Sequence, residues 1–471
     1  MSSVSIEPVR KVSGNRGADL VEQLHLFETD AQDQVREAAF SDPAFMSNKV
    51  RPLHRWVPWI AGFSGEFVDD ILNRYMKRSG MVLDPFSGVG TTLAEAVLHG
   101  HEAMGFEINP YAALASKVKA NAHKVDERNL DREILRFSDF YRDRMSGDYS
   151  PESTPPPGFR TRSPFYSPRV MRKVLIVWDF IKTVDETAIQ DLFRLAFAAT
   201  MVGYSNYSYE PSLGRRVSAG KPEVEDAPVG QIMASKLMDM KDDIEWFKGS
   251  MSWPGRRTTP QARVLCESFF RCREHVAPET VDLLITSPPY MNNYHYIRNT
   301  RPQLYWLGFI NQPSDMKTLE QNNFGTYWQT AREVNRIDLE FTLPRSELHE
   351  QLELLRGLNP EKGIYGGNGW ANYAAAYFND CYRFAQNMKY VLRPGGVAVI
   401  VIGNSILQGV PIPTDQYLAA ISELVGLELV NIDIPRATRM GNSIINSEVR
   451  VGKANSRAQL YEAVVELRNR R

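Results

Sequence analysis

The stretch "MVLDPFSGVGTTLAEAVLHGHEAMGFEINPYAALASKVKAN", residues 81–121, constrains the fold more than any other part of the chain. It reads as strand, glycine-rich turn, helix, strand, turn and helix within about 40 residues, the size of a repeated βα crossover. Strands joined this way run parallel, and the helices between them cover the faces of the sheet. Later apolar runs supply further strands: "ARVLCESFF", "VDLLITSPPY", "GVAVIVIGNS", "GLELVNIDIP" and "LYEAVVELR". Together these are seven strand candidates alternating with helices. They predict an α/β, Rossmann-like, doubly wound and mostly parallel seven-stranded sheet. The last two strands lie in the C-terminal tail and are candidates for an antiparallel pair at one edge.

The spacing of these elements sets the domain organisation. Residues 1–50 are polar with two helical stretches, "ADLVEQLHLF" and "DQVREAAF", and read as an N-terminal helical extension. Residues 51–121 form one half of the sheet domain. "HRWVPWIAGFSGEFVDDILNRYMKRSG" leads into it as a loop and an amphipathic helix with Phe67, Ile71, Leu72 and Tyr75 on one face, ended by Gly80. Residues 122–261 are far longer than a crossover needs and carry helical patterns around a proline-rich loop, so they read as an inserted helical subdomain. Residues 262–471 complete the sheet, with a second insertion at about 299–369 that includes the charged helix "RSELHEQLELLRG". In "KYVLRPGGVAVIVIGNS" a Pro-Gly-Gly turn is expected between a helix end and a strand.

Composition excludes some classes. The chain has 55 Lys+Arg and 56 Asp+Glu, a formal net charge of −1, so a polyanionic partner would have to be met by a local basic surface rather than by overall charge. Three cysteines, none at zinc-site spacing, argue against a disulfide framework and predict no metal. No apolar run approaches the roughly 18 residues that span a bilayer, and the N-terminus has no signal core, which predicts a cytoplasmic protein without membrane attachment.

Three short patterns carry the chemistry. "DPFSGVGTT" follows an apolar strand, and Gly88 and Gly90 permit a tight turn and close approach of the backbone to a ligand, although a purely structural turn would use the same glycines. Glu107 ends the next strand, where a carboxylate can accept ribose hydroxyls; a helix N-terminal acid is the other reading. "TSPPY" follows the apolar strand Val281–Thr286, and its two prolines end the ladder and stiffen a loop at the strand's C-terminal end.

These residues resemble the S-adenosylmethionine-dependent DNA amino-methyltransferases, which methylate cytosine N4 or adenine N6. The resemblance covers Leu53–Asn121 and Arg263–Arg471 and neither insertion. It implies a methyltransferase sheet with S-adenosylmethionine as cofactor and DNA as partner. The implied cofactor-binding residues are Asp84, Pro85, Phe86, Gly88, Gly90, Thr91 and Thr92 in the turn, with Glu107 and Ile108 after the second strand. Phe63 and Ser64 before the helix and Glu267 with Ser268 in "RVLCESFF" join them; the family more often has Asp where Glu267 stands. The implied catalytic residues are Ser287, Pro288, Pro289 and Tyr290. Serine in first place is associated most often with cytosine N4, and aspartate more often with adenine.

The loop suits that reaction. An exocyclic amine has its lone pair delocalised into the ring. Ser287 Oγ and the Pro288 carbonyl can accept its two N–H bonds and point the lone pair at the methyl group, and the prolines hold these acceptors in place beforehand. Tyr290 can stack on a base turned out of the helix. Asn292, Asn293, Tyr294 and His295 are candidates for the base pocket or a polar loop. Arg215 and Arg216, in the tyrosine-rich "SNYSYEPSLGRR" of the first insertion, are candidates for DNA contact or an ordinary surface turn. Cytosine-C5 chemistry is set aside because the chain has no Pro-Cys dipeptide. N6-adenine methylation, RNA methylation and a non-catalytic DNA-binding subunit remain as alternatives. No nuclease motif is present, so a restriction endonuclease or other defence partner would be a separate protein.

Overall fold

The computed structural model describes residues 43–438, except 44, 60–61, 210–211, 252–258, 292–295, 326–327 and 345, together with residues 460–470. The helices expected in "ADLVEQLHLF" and "DQVREAAF" lie outside the described residues. In chain order the first half has α1 Gly65–Tyr75, β1 Met81–Asp84, α2 Thr91–Leu98, β2 Glu102–Phe106 and α3 Pro110–Ala120. The first insertion follows with α4 Glu127–Ser146, α5 Pro168–Ile181, α6 Thr187–Thr200, the small hairpin β3 Tyr207–Tyr209 and β4 Leu213–Arg215, and α7 Val229–Ser250. Next come β5 Ala262–Leu265, β6 Val281–Thr286, α8 Tyr296–Asn299, α9 Arg301–Trp306, α10 Pro313–Gln321, α11 Trp328–Glu333, α12 Leu348–Gly357 and the long α13 Gly367–Val391. The chain closes with β7 Leu392–Gly403, β8 Ser405–Leu407, β9 Val410–Ile412, α14 Thr414–Leu424, β10 Leu427–Thr438 and β11 Leu460–Asn469.

The main sheet has seven strands in the order β10-β11-β7-β6-β1-β2-β5. Five of them, β7-β6-β1-β2-β5, are parallel; β11 is antiparallel to both β7 and β10. The sheet is therefore the Rossmann-like, doubly wound arrangement expected from the sequence. Between β1 and β6 the order reverses: the chain winds outward through β2 and β5, then returns to lay β6 on the other side of β1. At such a reversal the connections leave the sheet in opposite directions and open a crevice beyond the strands' C-terminal ends.

Period-two alternation divides the core. Val82, Leu283, Ile285, Val397, Val399 and Val401 face one cluster, which also holds α1 to α3 and the apolar faces of α4 to α7. Leu83, Leu284, Ala398, Ile400 and Ile402 face the other, built largely on α13 and α14. The first insertion thus shares one continuous core with the sheet.

Local signals set the helix starts. Ser64 caps α1 by accepting from Phe67 N at 3.2 Å, and Asn109 caps α3 by accepting from Tyr111 N at 3.1 Å, with Pro110 in the first turn where its missing N–H costs nothing. Two expectations are corrected. Helix α1 ends at Tyr75, not at Gly80, which precedes β1 across a short turn. The Pro-Gly-Gly segment is not a separate turn: it bulges out of β7, so that Leu392 pairs with Val281 and pairing resumes at Val397 opposite Leu283.

Gly90 shows why the glycine turn is built as it is. Its φ is +84°, and a Cβ there would lie 2.7 Å from Ser116 Cα on α3. Gly90→Ala is expected to lower stability by about 2–3 kcal/mol, combining the strain of a positive φ with displacement of α3. Thermal unfolding of the two proteins checks this; an unchanged midpoint would mean that the α2–α3 contact yields freely.

Candidate active site

Four strand ends meet at the crevice: β1 at Asp84, β2 at Phe106, β5 at Leu265 and β6 at Thr286. The connection between the two sequence patterns is direct. Thr286 Oγ1 donates to Asp84 Oδ1 at 2.6 Å, and the same oxygen accepts from Phe86 N at 3.0 Å. Asp84 is buried, and burial pushes its carboxyl up to about 6. This carboxylate joins the glycine turn to the Ser-Pro-Pro-Tyr loop, although 202 residues separate the bonded pair.

Glu107 is held from two sides. Gly88 N donates to Oε2 at 2.9 Å and Asn109 N donates to Oε1 at 2.7 Å. Each oxygen keeps acceptor capacity toward the pocket. The surrounding protein pushes the carboxyl up to about 7, and the charge of Asp84 adds to that. Gly88 has φ +48° and its open side faces Trp59.

A pocket of about 1000 Å³, part of it open to solvent, lies over these groups. Of the sequence-derived residues, Phe63, Asp84, Pro85, Phe86, Gly88, Thr91, Glu107, Ile108, Glu267, Ser268, Ser287 and Pro289 line it. Glu267 does so while its carboxylate is bonded to Arg271 and His275, and Ser268 accepts from Phe270 N at 3.3 Å. Ser64, Gly90 and Thr92 do not line it: Ser64 caps α1, Gly90 admits α3, and Thr92 is buried in the first turn of α2. Pro288 and Tyr290 stand outside the lining. Arg215 ends β4 and Arg216 begins the turn after it, away from the pocket. Asn292, Asn293, Tyr294 and His295 lie outside the described residues.

Several site residues gave no signal in the sequence. Trp59 and Tyr296 stack at 5.6 Å across the pocket mouth. Phe324, from the second insertion, packs on Phe86 at 5.3 Å and stacks with Phe270 at 6.0 Å, adding an aromatic wall. Two tyrosines on α13 hold the loop backbone: Tyr377 Oη donates to the Pro289 carbonyl at 3.0 Å, and Tyr373 donates to the Met291 carbonyl. The Tyr290 ring lies over Gly403, where a Cβ would come within 2.8 Å of it, and Tyr290 Oη donates to Glu462 Oε1 on β11 at 3.1 Å. These contacts come from elements distant in sequence from the loop.

A match to the DNA methylase family spans residues 22–117, which contain the glycine turn and Glu107. Relatives extend the likeness over most of the chain. Type II methyltransferase M.BsoBI of Geobacillus stearothermophilus is 20% identical over 443 residues, covering 85% of this chain and 83% of its own. M.AvaI of Nostoc sp. is 22% identical over 423 residues, covering 85% and 84%. M.MvaI of Kocuria varians is 22% identical over 349 residues, covering 72% and 73%. Over most of its length the chain is thus similar to Type II methyltransferases, and over residues 22–117 to the DNA methylases.

This likeness to methyltransferases implies S-adenosylmethionine as methyl donor, and the pocket fits it. Glu107 offers two carboxylate oxygens suited to a pair of ribose hydroxyls. Ile108, Phe270 and Phe324 form an apolar wall that suits a flat base, and Gly88 leaves its backbone bare toward the pocket. Among the described residues one group, Asp69, Glu95 and His99, has metal-ligand geometry. Arg51 already pairs with Glu95 at 2.9 Å and with Asp69, so the cluster reads as an ion-pair network. No helix among the described residues is long and apolar enough to cross a membrane.

Proposed function

We propose that this protein transfers a methyl group from S-adenosylmethionine to an exocyclic amine of a DNA base, with cytosine N4 as the acceptor. The observation that carries the reading is that Glu107 and Ser287 open onto one pocket while the intervening Asp84–Thr286 bond fixes their relation. When bound, S-adenosylmethionine supplies an electrophilic methyl on a sulfonium. The chain's own residues bind, align and polarise. Glu107 holds the ribose. Ser287 Oγ and the Pro288 carbonyl accept the two amine hydrogens and draw the nitrogen toward tetrahedral geometry. Tyr377 and Tyr373 pin the neighbouring carbonyls, so the acceptors need no rearrangement. Serine rather than aspartate ahead of Pro-Pro-Tyr favours cytosine.

The hairpin β3–β4 is the candidate for reading DNA. Tyr209 Oη donates to the Asn299 carbonyl at 2.9 Å, and Leu213 N donates to Asn299 Oδ1 at 2.9 Å, which moors the hairpin beside the segment following the Ser-Pro-Pro-Tyr loop. Arg215 and Arg216, at the end of the hairpin and outside the pocket lining, are the candidate phosphate contacts. Relatives named Type II methyltransferases support DNA as the substrate. The recognition partner of such a modification activity, a restriction endonuclease, would be a separate cytoplasmic protein.

The test is to incubate the protein with labelled S-adenosylmethionine and either genomic DNA or total RNA, then identify methylated nucleosides by mass spectrometry. N4-methylcytosine in DNA is expected. N6-methyladenine would overturn the base assignment and keep the chemistry. Label only in RNA, or none in either, would overturn the proposal.

A further inference from the structure

Buried Asn206 gathers three segments of the first insertion at one point. Its backbone N donates to the Phe165 carbonyl at 2.8 Å, and its Nδ2 donates to the Pro164 carbonyl at 3.1 Å. Its own carbonyl accepts from Arg216 N at 2.9 Å, and its Oδ1 accepts from Val224 N at 2.8 Å. The proline-rich loop is thereby seated on the hairpin. Tyr207 and Arg215 are cross-strand partners, so their side chains leave β3 and β4 on one face. The Tyr207 ring stacks on Phe165 at 5.3 Å, and its hydroxyl donates to the Ser163 carbonyl at 3.4 Å. Arg215 therefore stands beside the turn that carries Arg160 and Arg162. Thr161 Oγ1 closes that turn by donating to the Ser163 carbonyl at 2.7 Å, and Arg301, the first residue of α9, donates to the Arg160 carbonyl.

The arginines on this surface lack counter-charge. Arg160, Arg162 and Arg215 are exposed, and Arg216 spends its Nε on the Pro222 carbonyl at 2.9 Å. Among the described residues none of the four is ion-paired to a carboxylate, the exposed Glu223 and Glu225 on the neighbouring segment included. Other exposed arginines are paired: Arg142 with Asp139 at 2.6 Å, and Arg383 with Glu340 at 2.6 Å. In a chain with 55 basic and 56 acidic residues, four such cations held together make the local basic surface that the overall charge does not supply. The surface adjoins the pocket. Tyr209 Oη donates to the Asn299 carbonyl, and α8, which Asn299 ends, contributes Tyr296 and Ile297 to the lining.

We propose that the proline-rich loop is part of the DNA interface, with Arg160 and Arg162 joining Arg215 and Arg216 in one surface that binds the phosphodiester backbone next to the base entering the pocket. Guanidinium groups meet phosphate oxygens through paired N–H bonds and release counterions, so the surface holds DNA without reading its sequence. It takes no part in the transfer step.

The inference rests on the proposed methylation of DNA, and the experiment separates the two. Wild type is first assayed for methyl transfer to genomic DNA; no transfer ends both. With wild type active, Arg160→Ala/Arg162→Ala, Arg160→Lys/Arg162→Lys and Arg142→Ala are compared with it. The readouts are kcat, KM for DNA, and Kd for labelled mixed-sequence DNA and RNA duplexes across a salt series.

The double alanine variant is expected to raise KM and Kd for DNA about 10- to 100-fold at about 0.1 M salt, because each neutralised phosphate contributes roughly one decade there. The slope of log Kd against log salt should fall by about 2, while kcat at saturating DNA stays within about twofold of wild type. The lysine variant keeps both charges and should recover most of the affinity and the slope. Arg142→Ala removes an arginine that Asp139 already neutralises, and should match wild type. An alanine variant with wild-type KM, Kd and slope overturns the proposal and leaves the methyltransferase reading intact. So does a loss that lysine fails to recover, or one confined to RNA. Neither alanine touches the carbonyls that moor the loop; should the double variant nonetheless fail to fold, Arg162→Gln alone decides, by a slope lowered by about 1 or unchanged.

Discussion

Replacing Ser287 with alanine is expected to slow methyl transfer by about two to three orders of magnitude, the loss typical of removing one preorganised hydrogen-bonding group aimed at developing charge. S-adenosylhomocysteine affinity should change less than about twofold. Ser287 touches the pocket edge, whereas the groups that would grip the nucleoside sit on β1, β2 and β5. The fold should be unaffected, because the loop is held by Tyr377, Tyr373 and the Thr286–Asp84 bond, none of which uses the Ser287 side chain. Single-turnover transfer and calorimetry on the same preparation check both halves. A variant with near-wild-type transfer would remove Ser287 from the reaction. A variant that lost cofactor binding would make it a cofactor residue instead.

Glu107→Gln is expected to weaken S-adenosylhomocysteine binding by about 10- to 100-fold, since hydrogen bonds to a charged acceptor contribute about 1.5–3 kcal/mol each and the amide offers only one oxygen. The wild-type protein should show a pH dependence that the variant lacks. Burial raises the Glu107 carboxyl to about 7, so lowering the pH through 7 protonates the group that must accept both hydroxyls, and affinity falls as pH falls. The free protein behaves in the opposite sense. A carboxyl whose folded value is raised above its unfolded value favours folding below the unfolded value, and that contribution is lost as pH rises through about 7. The ligand-free melting midpoint should therefore gain from this group as pH falls from 7 toward 5, while binding weakens. Calorimetric titrations at pH 6, 7 and 8 decide the point; a flat profile in wild type would mean that Glu107 stays ionised throughout.

The sheet and the three short patterns could be read in the sequence because each is local. A strand, a turn and the residue at its end are written in about ten consecutive positions, so Asp84, Gly88, Glu107 and Ser287 could be placed at strand ends without knowing how the strands were ordered, whereas Glu267 was marked only by the family resemblance. What could not be read is what crosses between elements. Phe324 reaches the pocket from an insertion outside the family resemblance, and Tyr377 sits in a helix whose apolar face looks like ordinary core. Glu462 lies on an alternating strand, where a half-exposed acid carries no mark of its partner. The misplaced end of α1 has a simpler cause: Gly80 is a good terminator, but Met76 already leaves helical geometry, and the next strand claims the turn.

The position of β11 bears on the order in which the molecule can be assembled. It follows β10 in sequence, yet it lies inside it, between β10 and β7. As the chain leaves the ribosome, β7 is exposed along its edge before its neighbour exists, and β10 emerges before β11, its partner in the finished sheet. The Glu462 carboxylate to which Tyr290 donates is in place only once β11 has entered the gap between β7 and β10. Until then the Ser-Pro-Pro-Tyr loop lacks that anchor, so closing the sheet and fixing the Tyr290 hydroxyl are completed by the same strand.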